Sequence, residues 1–301
     1  MSKIKVWIEA MRLRTLPVSV AGVLAGIAMA VAAGHFSTVT AAACFVFAVL
    51  AQIASNFANE YYDYVGGLDR RGREGPRRGV TEGDITPRAM LMATVVVLLL
   101  ACAVGLVIAS IGGWWLIAVG IAVALGVFAY SAGPYPLSHH ALGEVAVVVF
   151  FGVVPVNFTY YVMAGGFSWP TAMMSIAVGL MGANVLIVNN YRDYDDDRAV
   201  NKNTLAVVAG RRFAAGLYLF CGLAAALIIA TVFAGAFGEV TAAALVKYPV
   251  FAIAAAYTAA HVKLWRMLLA RDGASLNPLL GKTSILMAVT SLSILITVFL
   301  T

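Results

Sequence analysis

Two short stretches concentrate the polar chemistry of this chain. The first reads Asn59-Glu60-Tyr61-Tyr62-Asp63-Tyr64-Val65-Gly66-Gly67-Leu68-Asp69, and the second Asn189-Asn190-Tyr191-Arg192-Asp193-Tyr194-Asp195-Asp196-Asp197. Asn59 and Asp63 are four residues apart, as are Asn189, Asp193 and Asp197 in turn, so each set shares one face of a helix. The side-chain oxygens of Asn59, Asp63, Asp69, Asn189, Asn190, Asp193 and Asp197 suit a hard cation such as Mg2+, commonly held by a few carboxylates together with substrate phosphates. Arg77 and Arg78 follow the first stretch, and Lys202, Arg211 and Arg212 the second. A divalent metal with several cationic side chains is what a diphosphate needs, both to be held and to depart as an anion. A plainer reading makes each stretch a solvated helix end with Asp–Arg pairs. Matching spacing in two distant places argues against it.

These residues need a scaffold, and composition says of what kind. Of 301 residues, 62% are hydrophobic and 11% charged, against about 25% charged in a soluble domain. Apolar runs of about 20 residues recur along the whole length, as expected of an all-α, polytopic membrane protein. Nine spans are expected: 16–33, 38–58, 89–111, 113–132, 142–164, 169–190, 213–235, 241–265 and 277–300. The acid stretches end the second and the sixth. That four-span offset predicts one domain over residues 1–301, made of two parallel four-helix units (16–132 and 142–265) plus a ninth helix. Glycines such as Gly22 and Gly26 read as close-packing positions between helices.

Charge sets the orientation. Lys3, Lys5, Arg12 and Arg14 precede the first span. Arg70, Arg71, Arg73, Arg77, Arg78 and Arg88 lie between the second and third, and Arg192, Arg198, Lys202, Arg211 and Arg212 between the sixth and seventh. Lys263, Arg266 and Arg271 flank the last connection. Opposite connections, including Gly235-Ala236-Phe237-Gly238-Glu239, lack Lys and Arg, and Lys247 is the main exception. The N-terminus and both acid stretches are therefore expected in the cytoplasm. Residues 1–14 read as the cytoplasmic face of the first helix and not as a removable signal. The net charge of +6 reflects this topology rather than nucleic-acid binding. Cys44, Cys102 and Cys221 fall inside apolar runs without metal spacing, as small buried hydrophobes do.

With these features in hand, the chain resembles the UbiA superfamily of intramembrane prenyltransferases, and within it the branch that prenylates 1,4-dihydroxy-2-naphthoate. The resemblance is carried by Arg12-Leu13-Arg14-Thr15-Leu16-Pro17, by Gln52 to Asp69, by Tyr130-Ser131-Ala132-Gly133-Pro134-Tyr135-Pro136 through Leu142-Gly143-Glu144, and by Asn189-Asn190-Tyr191-Arg192-Asp193 through Lys202-Asn203-Thr204-Leu205. It implies Mg2+ and a polyprenyl diphosphate held between the two acid motifs. The allylic C–O bond ionises and an electron-rich aromatic ring attacks, with loss of diphosphate and carbon dioxide, giving demethylmenaquinone. Carried over residue by residue, Asn59, Asp63, Asp193 and Asp197 are expected to hold metal and diphosphate, joined by Asp69 and Asn189. Arg192 and Lys202 are expected on phosphate, Asn190 on substrate, and the rings of Tyr62, Tyr130 and Tyr191 near the cation. Arg12 and Arg14 are candidates for steering the acceptor carboxylate. Two positions depart from the pattern. Glu60 stands where Asp is usual, and Ser138-His139-His140 replaces an aromatic and a basic residue, which makes His139 a candidate base or acceptor ligand. Glu144 is expected either near a cavity or as a helix-terminal acid.

Other classes fit less well. A secondary transporter would place its polar site near the midplane at broken helices, whereas these acids crowd one membrane face. A CDP-alcohol phosphotransferase would carry one Asp motif, not two on distant helices. Acceptors such as 4-hydroxybenzoate or haem remain the alternatives inside the prenyltransferases.

Overall fold

The computed structural model describes residues 2–301 apart from 73, 237 and 239–243. Arg73, part of the expected connection at 235–239 and the start of the expected span at 241 lie outside the described residues. Among the described residues the chain is helical, without a named strand. A surface helix, α1 (Lys3–Ala10), precedes α2 (Leu16–Ala32), α3 (Thr38–Val65), α4 (Pro87–Gly112) and α5 (Leu116–Ala129). Then come α6 (Gly143–Val147), a π-helical turn (Val148–Val153) and α7 (Val154–Ala164), followed by α8 (Trp169–Arg192). Two short helices, α9 (Tyr194–Ala199) and α10 (Leu205–Ala209), lead to α11 (Arg211–Phe233), α12 (Ala244–Leu269) and α13 (Asn277–Phe299).

Among the described residues, six helical segments are long and apolar enough to cross a bilayer: α3, α4, the α6–α7 run, α8, α11 and the segment containing α13. Helices α2 and α5 are apolar but shorter. Burial orders them around α8. Of its apolar window 72% is buried, against 11% for α4, so α8 is the axial helix and α4 faces lipid. Helix α8 packs on α11 and the π turn, α2 on α13 and α7, and α3 on α4.

Local sequence explains the joints. Ser37, Thr86 and Ser168 accept backbone N–H groups as side-chain caps of α3, α4 and α8. Pro155 lacks an N–H and cannot bond the Phe151 carbonyl four residues earlier, and there the helix widens into its π turn. Gly22 of α2 packs against that carbonyl, where a Cβ would stand 2.7 Å from the oxygen. A Cβ on Gly152 would collide with the Gly179 backbone of α8. Both contacts are helix crossings that only a missing side chain allows.

Helix α1 was not among the expected spans. Its Val6 and Ala10 are buried against Phe57, Val80, Ile85 and Met90. It lies across the same end of the molecule as the acid stretches and delivers Arg12 to them.

Candidate active site

The first acid stretch occupies the last turns of α3, beyond the apolar run. Asn59 is 8% exposed, Glu60 1% and Asp63 2%, so these polar groups are buried and need partners. Asn59 Nδ2 donates to Asp63 Oδ2 at 3.1 Å and to Ser131 Oγ at 2.9 Å. Its Oδ1 accepts from Arg12 Nη2 at 2.6 Å and from Arg78 Nη2 at 3.4 Å. Arg78 also stands 3.8 Å from Asp63 Oδ2, 3.3 Å from Asp69 Oδ2 and 4.0 Å from Glu60 Oε2. Asp69 reaches Arg78 because α3 ends at Gly66-Gly67. Gly67 adopts φ +69°, a conformation that glycine takes without strain, and Leu68 N then folds back to the Asp63 carbonyl at 2.8 Å. Glu60 turns toward the following loop, where its Oε1 accepts from Val80 N at 3.1 Å.

The second stretch spans the joint of α8 and α9. Asp193 ends one helix and begins the next, yet Asp193 N still bonds Asn189 O at 3.0 Å and Asp197 N bonds Asp193 O at 2.8 Å. The spacing of four therefore survives the joint. Arg192, 2% exposed, forks onto both Asp193 oxygens at 2.7 Å and reaches Asn189 Oδ1 at 2.9 Å and Asn277 Oδ1 at 3.0 Å. Such bidentate geometry is specific to arginine. Lys202 Nζ is 3.7 Å from Asp197 Oδ1.

Several contacts bring the two stretches to one place. Arg70 pairs with Asp196, and Glu74 N donates to Asp196 Oδ2 at 3.1 Å. Glu74 also receives Ala274 N at 2.6 Å on Oε2 and Asn277 Nδ2 at 3.1 Å on its carbonyl. Loops after α3, α8 and α12 thus meet at one end of the bundle. Tyr130, at the end of α5, lies in the combined fields of Glu144, Asp63, Arg12 and Asp197. His139 feels both Lys202 and Asp63, and Ala141 N donates to Asn203 O at 2.9 Å. Burial, and then Lys202, hold the His139 pKa below the ordinary imidazole value, with its Nε2 buried and without a hydrogen-bond partner.

Not every expected residue faces this centre. Tyr62 packs edge-on against Tyr61 and Phe128 at the α3–α5 seam. Tyr191 sits in the core with the Arg211 guanidinium 5.6 Å from its ring centroid. Arg14 is exposed and its carbonyl accepts from Ser284 Oγ at 2.6 Å. Asn190 Nδ2 donates to Glu144 Oε1 at 2.9 Å. Residue type alone does not distinguish Arg78, the hub of the first stretch, from the equally basic Arg77, which pairs instead with Asp84. Ser131, Glu74 and Asn277 were missed as well. Two of them had a signal, Ser131 as part of the stretch from Tyr130 to Pro136 and Asn277 by its place before Pro278 at the start of α13.

Below the acids lies an apolar cavity of about 330 Å3. Gln52, Ser55 and Tyr130 line one end, and Leu116, Phe158 and Val162 the other. Leu116 and Tyr130 lie at opposite ends of α5, about 20 Å apart at 1.5 Å per residue. Leu106 and Ile121 line it while remaining 52% and 56% exposed, so the cavity opens sideways where lipid would be.

Among the described residues no three His, Cys, Asp or Glu side chains cluster closely enough to hold a metal alone. Asp63 Oδ1 is nevertheless buried without a hydrogen-bond partner, while the amide oxygens of Asn59 and Asn189 are held by Arg12, Arg78 and Arg192. Hard oxygen donors in too small a number suit a cation whose shell is completed by substrate phosphate and water.

The UbiA prenyltransferase family profile matches residues 19–297. The chain belongs to the UbiA prenyltransferase family. It is 34% identical over 289 residues to the 1,4-dihydroxy-2-naphthoate octaprenyltransferase of Mycobacterium leprae (strain TN), covering 96% of this chain and 94% of that one. Identity to the Escherichia coli (strain K12) protein of the same name is 35% over 216 residues, 69% and 70% of the two chains. The fold is shared with solved UbiA homologues. One from Archaeoglobus fulgidus, bound to DMAPP and Mg2+, superposes with TM-score 0.62 at 17% identity over 94% of this chain and 98% of that one. The apo form of one from Aeropyrum pernix K1 gives 0.66 at 15% over 94% and 97%. The UbiA family chain described here is thus an integral membrane protein of the prenyltransferase type.

Proposed function

We propose that this UbiA family member transfers a polyprenyl group from polyprenyl diphosphate to 1,4-dihydroxy-2-naphthoate, releasing diphosphate and carbon dioxide and yielding demethylmenaquinol, the reduced form of demethylmenaquinone. The relatives named for that acceptor match over most of the chain. The observation that carries the chemistry is the meeting of two acid–amide stretches, 120 to 138 residues apart in sequence, at the polar end of one apolar cavity.

In this reading residues 1–301 form one domain with nine membrane helices. Its N-terminus and acid stretches face the cytoplasm of a bacterium, and Mg2+ is the metal. Asn59, Asp63 and Asp69 on one side, and Asn189, Asp193 and Asp197 on the other, hold the cation. A bound magnesium ion would contribute positive charge shared with the diphosphate oxygens. Arg12, Arg78, Arg192 and Lys202 hold the phosphates and stabilise the charge that develops as the allylic C–O bond breaks. The isoprenoid tail lies in the cavity, whose apolar walls keep water from the cation, and the Tyr130 ring faces the cation end. His139, whose charged form burial and Lys202 disfavour, can accept a hydrogen bond from the acceptor.

The test is direct. Membranes containing the protein, supplied with dihydroxynaphthoate, polyprenyl diphosphate and Mg2+, are expected to release carbon dioxide and prenylated naphthoquinol together. Turnover confined to 4-hydroxybenzoate would replace the acceptor assignment.

A further inference from the structure

Glu144 is a buried carboxylate that the metal and phosphate chemistry leaves unused. It opens α6 and is 7% exposed. Asn190 of α8 donates to its Oε1 at 2.9 Å, while its Oε2 is buried and has no hydrogen-bond partner. A buried acceptor without a donor is costly enough to require an explanation. Its surroundings supply one. Tyr130 lies in its field, and a Cβ on the adjacent Gly143 would stand 3.6 Å from the Tyr130 hydroxyl. Ala146 and Val147, two and three residues on, line the apolar cavity together with Tyr130. Glu144 therefore sits beside residues of the cavity wall and of the second acid stretch, with one oxygen anchored by Asn190 and the other buried and unsatisfied.

The two substrates differ in what they can offer that oxygen. A prenyl diphosphate brings anionic acceptor oxygens and a hydrocarbon tail, with no donor for a carboxylate. A phenolic acceptor brings O–H groups. We propose that Glu144, oriented by Asn190, receives a hydroxyl of the aromatic acceptor and so fixes the ring against the allylic carbon at the cavity mouth. This rests on the acceptor being a hydroxylated aromatic, as proposed above. Anchoring by Asn190 links the acceptor to the same helix that carries Arg192 and Asp193, so both substrates are positioned by α8.

Glu144→Gln and Glu144→Ala in the full-length protein test it. Steady-state kinetics would be run with dihydroxynaphthoate and with its mono-O-methyl ethers, and thermal unfolding would be recorded for each variant. Loss of one hydrogen bond to a charged group should lower kcat/KM for the diol by about 10- to 100-fold. The donor KM and the Mg2+ requirement should stay as in wild type. The wild type should discriminate against one of the two ethers, and Glu144→Ala should lose that discrimination, a readout that a merely structural role would not move. Unchanged discrimination in a folded variant overturns the proposal, as does a raised Mg2+ requirement, which would give Glu144 to the metal. A wild type that prenylates no hydroxylated naphthoate overturns the acceptor reading as well, and an active wild type with an indifferent Glu144→Ala overturns only this inference.

Discussion

Aspartates of the second stretch differ in burial, and with it in the work the proposed function assigns them. Asp197 is 6% exposed and faces Lys202. Asp195 pairs with Arg211 at an exposed position, its side chain 77% accessible. Exposed pairs contribute about 0.2–1 kcal/mol, whereas removing a preorganised charge from a reacting site costs about 10²- to 10³-fold in rate. Asp197→Ala is therefore expected to lose at least 100-fold in kcat, while Asp195→Ala stays within a few-fold of wild type in the same membrane assay. Spacing alone marked Asn189, Asp193 and Asp197 as a set, because a period of four is a property of the sequence. It could not distinguish Arg78 from Arg77, since which of two adjacent arginines turns inward is decided by the loop that carries them. Nor could it show that Arg12, rather than Arg14, reaches Asn59. That depends on a left-handed backbone at Arg12, φ +52°, which follows α1.

At the scale of elements, the apolar runs located the long helices to within a few residues over most of the chain. The exceptions have physical causes. Helix α3 continues to Val65, past the expected end at 58, because its polar last turns are buried by Arg12, Arg78 and Ser131 and need no membrane. The π turn was legible only in part: Pro155 marks a lost helical hydrogen bond, but that the helix widens over Val148–Val153 rather than kinks depends on how α2 and α8 pack on the segment. The crossing at Gly152 and Gly179 makes a prediction. Gly152→Val forces a side chain into the α8 backbone and should destabilise by about 1–3 kcal/mol or more, read as a lower unfolding temperature in detergent. Gly216→Ala, where an added Cβ meets nothing within 4 Å, should leave that temperature unchanged or raised.

For the molecule as a whole, the basic loops and both acid stretches gather at one end. Glu74 ties the loop after α3 to Asp196 and to the start of α13. The proposed nine crossings and cytoplasmic polar end make a labelling prediction. Cys102 is exposed and would first be replaced. In that background, a cysteine at Arg71 should be protected from an impermeant thiol reagent in intact cells, and one at Phe36 should react. The reverse pattern would invert the orientation.

Two separated stretches that grip one metal-bound diphosphate, as proposed, must be energetically coupled, and a double-mutant cycle on binding measures that coupling. Calorimetric titration of a short prenyl diphosphate with Mg2+ would compare wild type, Asp63→Asn, Asp193→Asn and the double variant. A shared site predicts that either single change removes most Mg2+-dependent binding and that the second adds little, a strongly non-additive result. Losses that simply add, or a single variant that binds as wild type does, would contradict it.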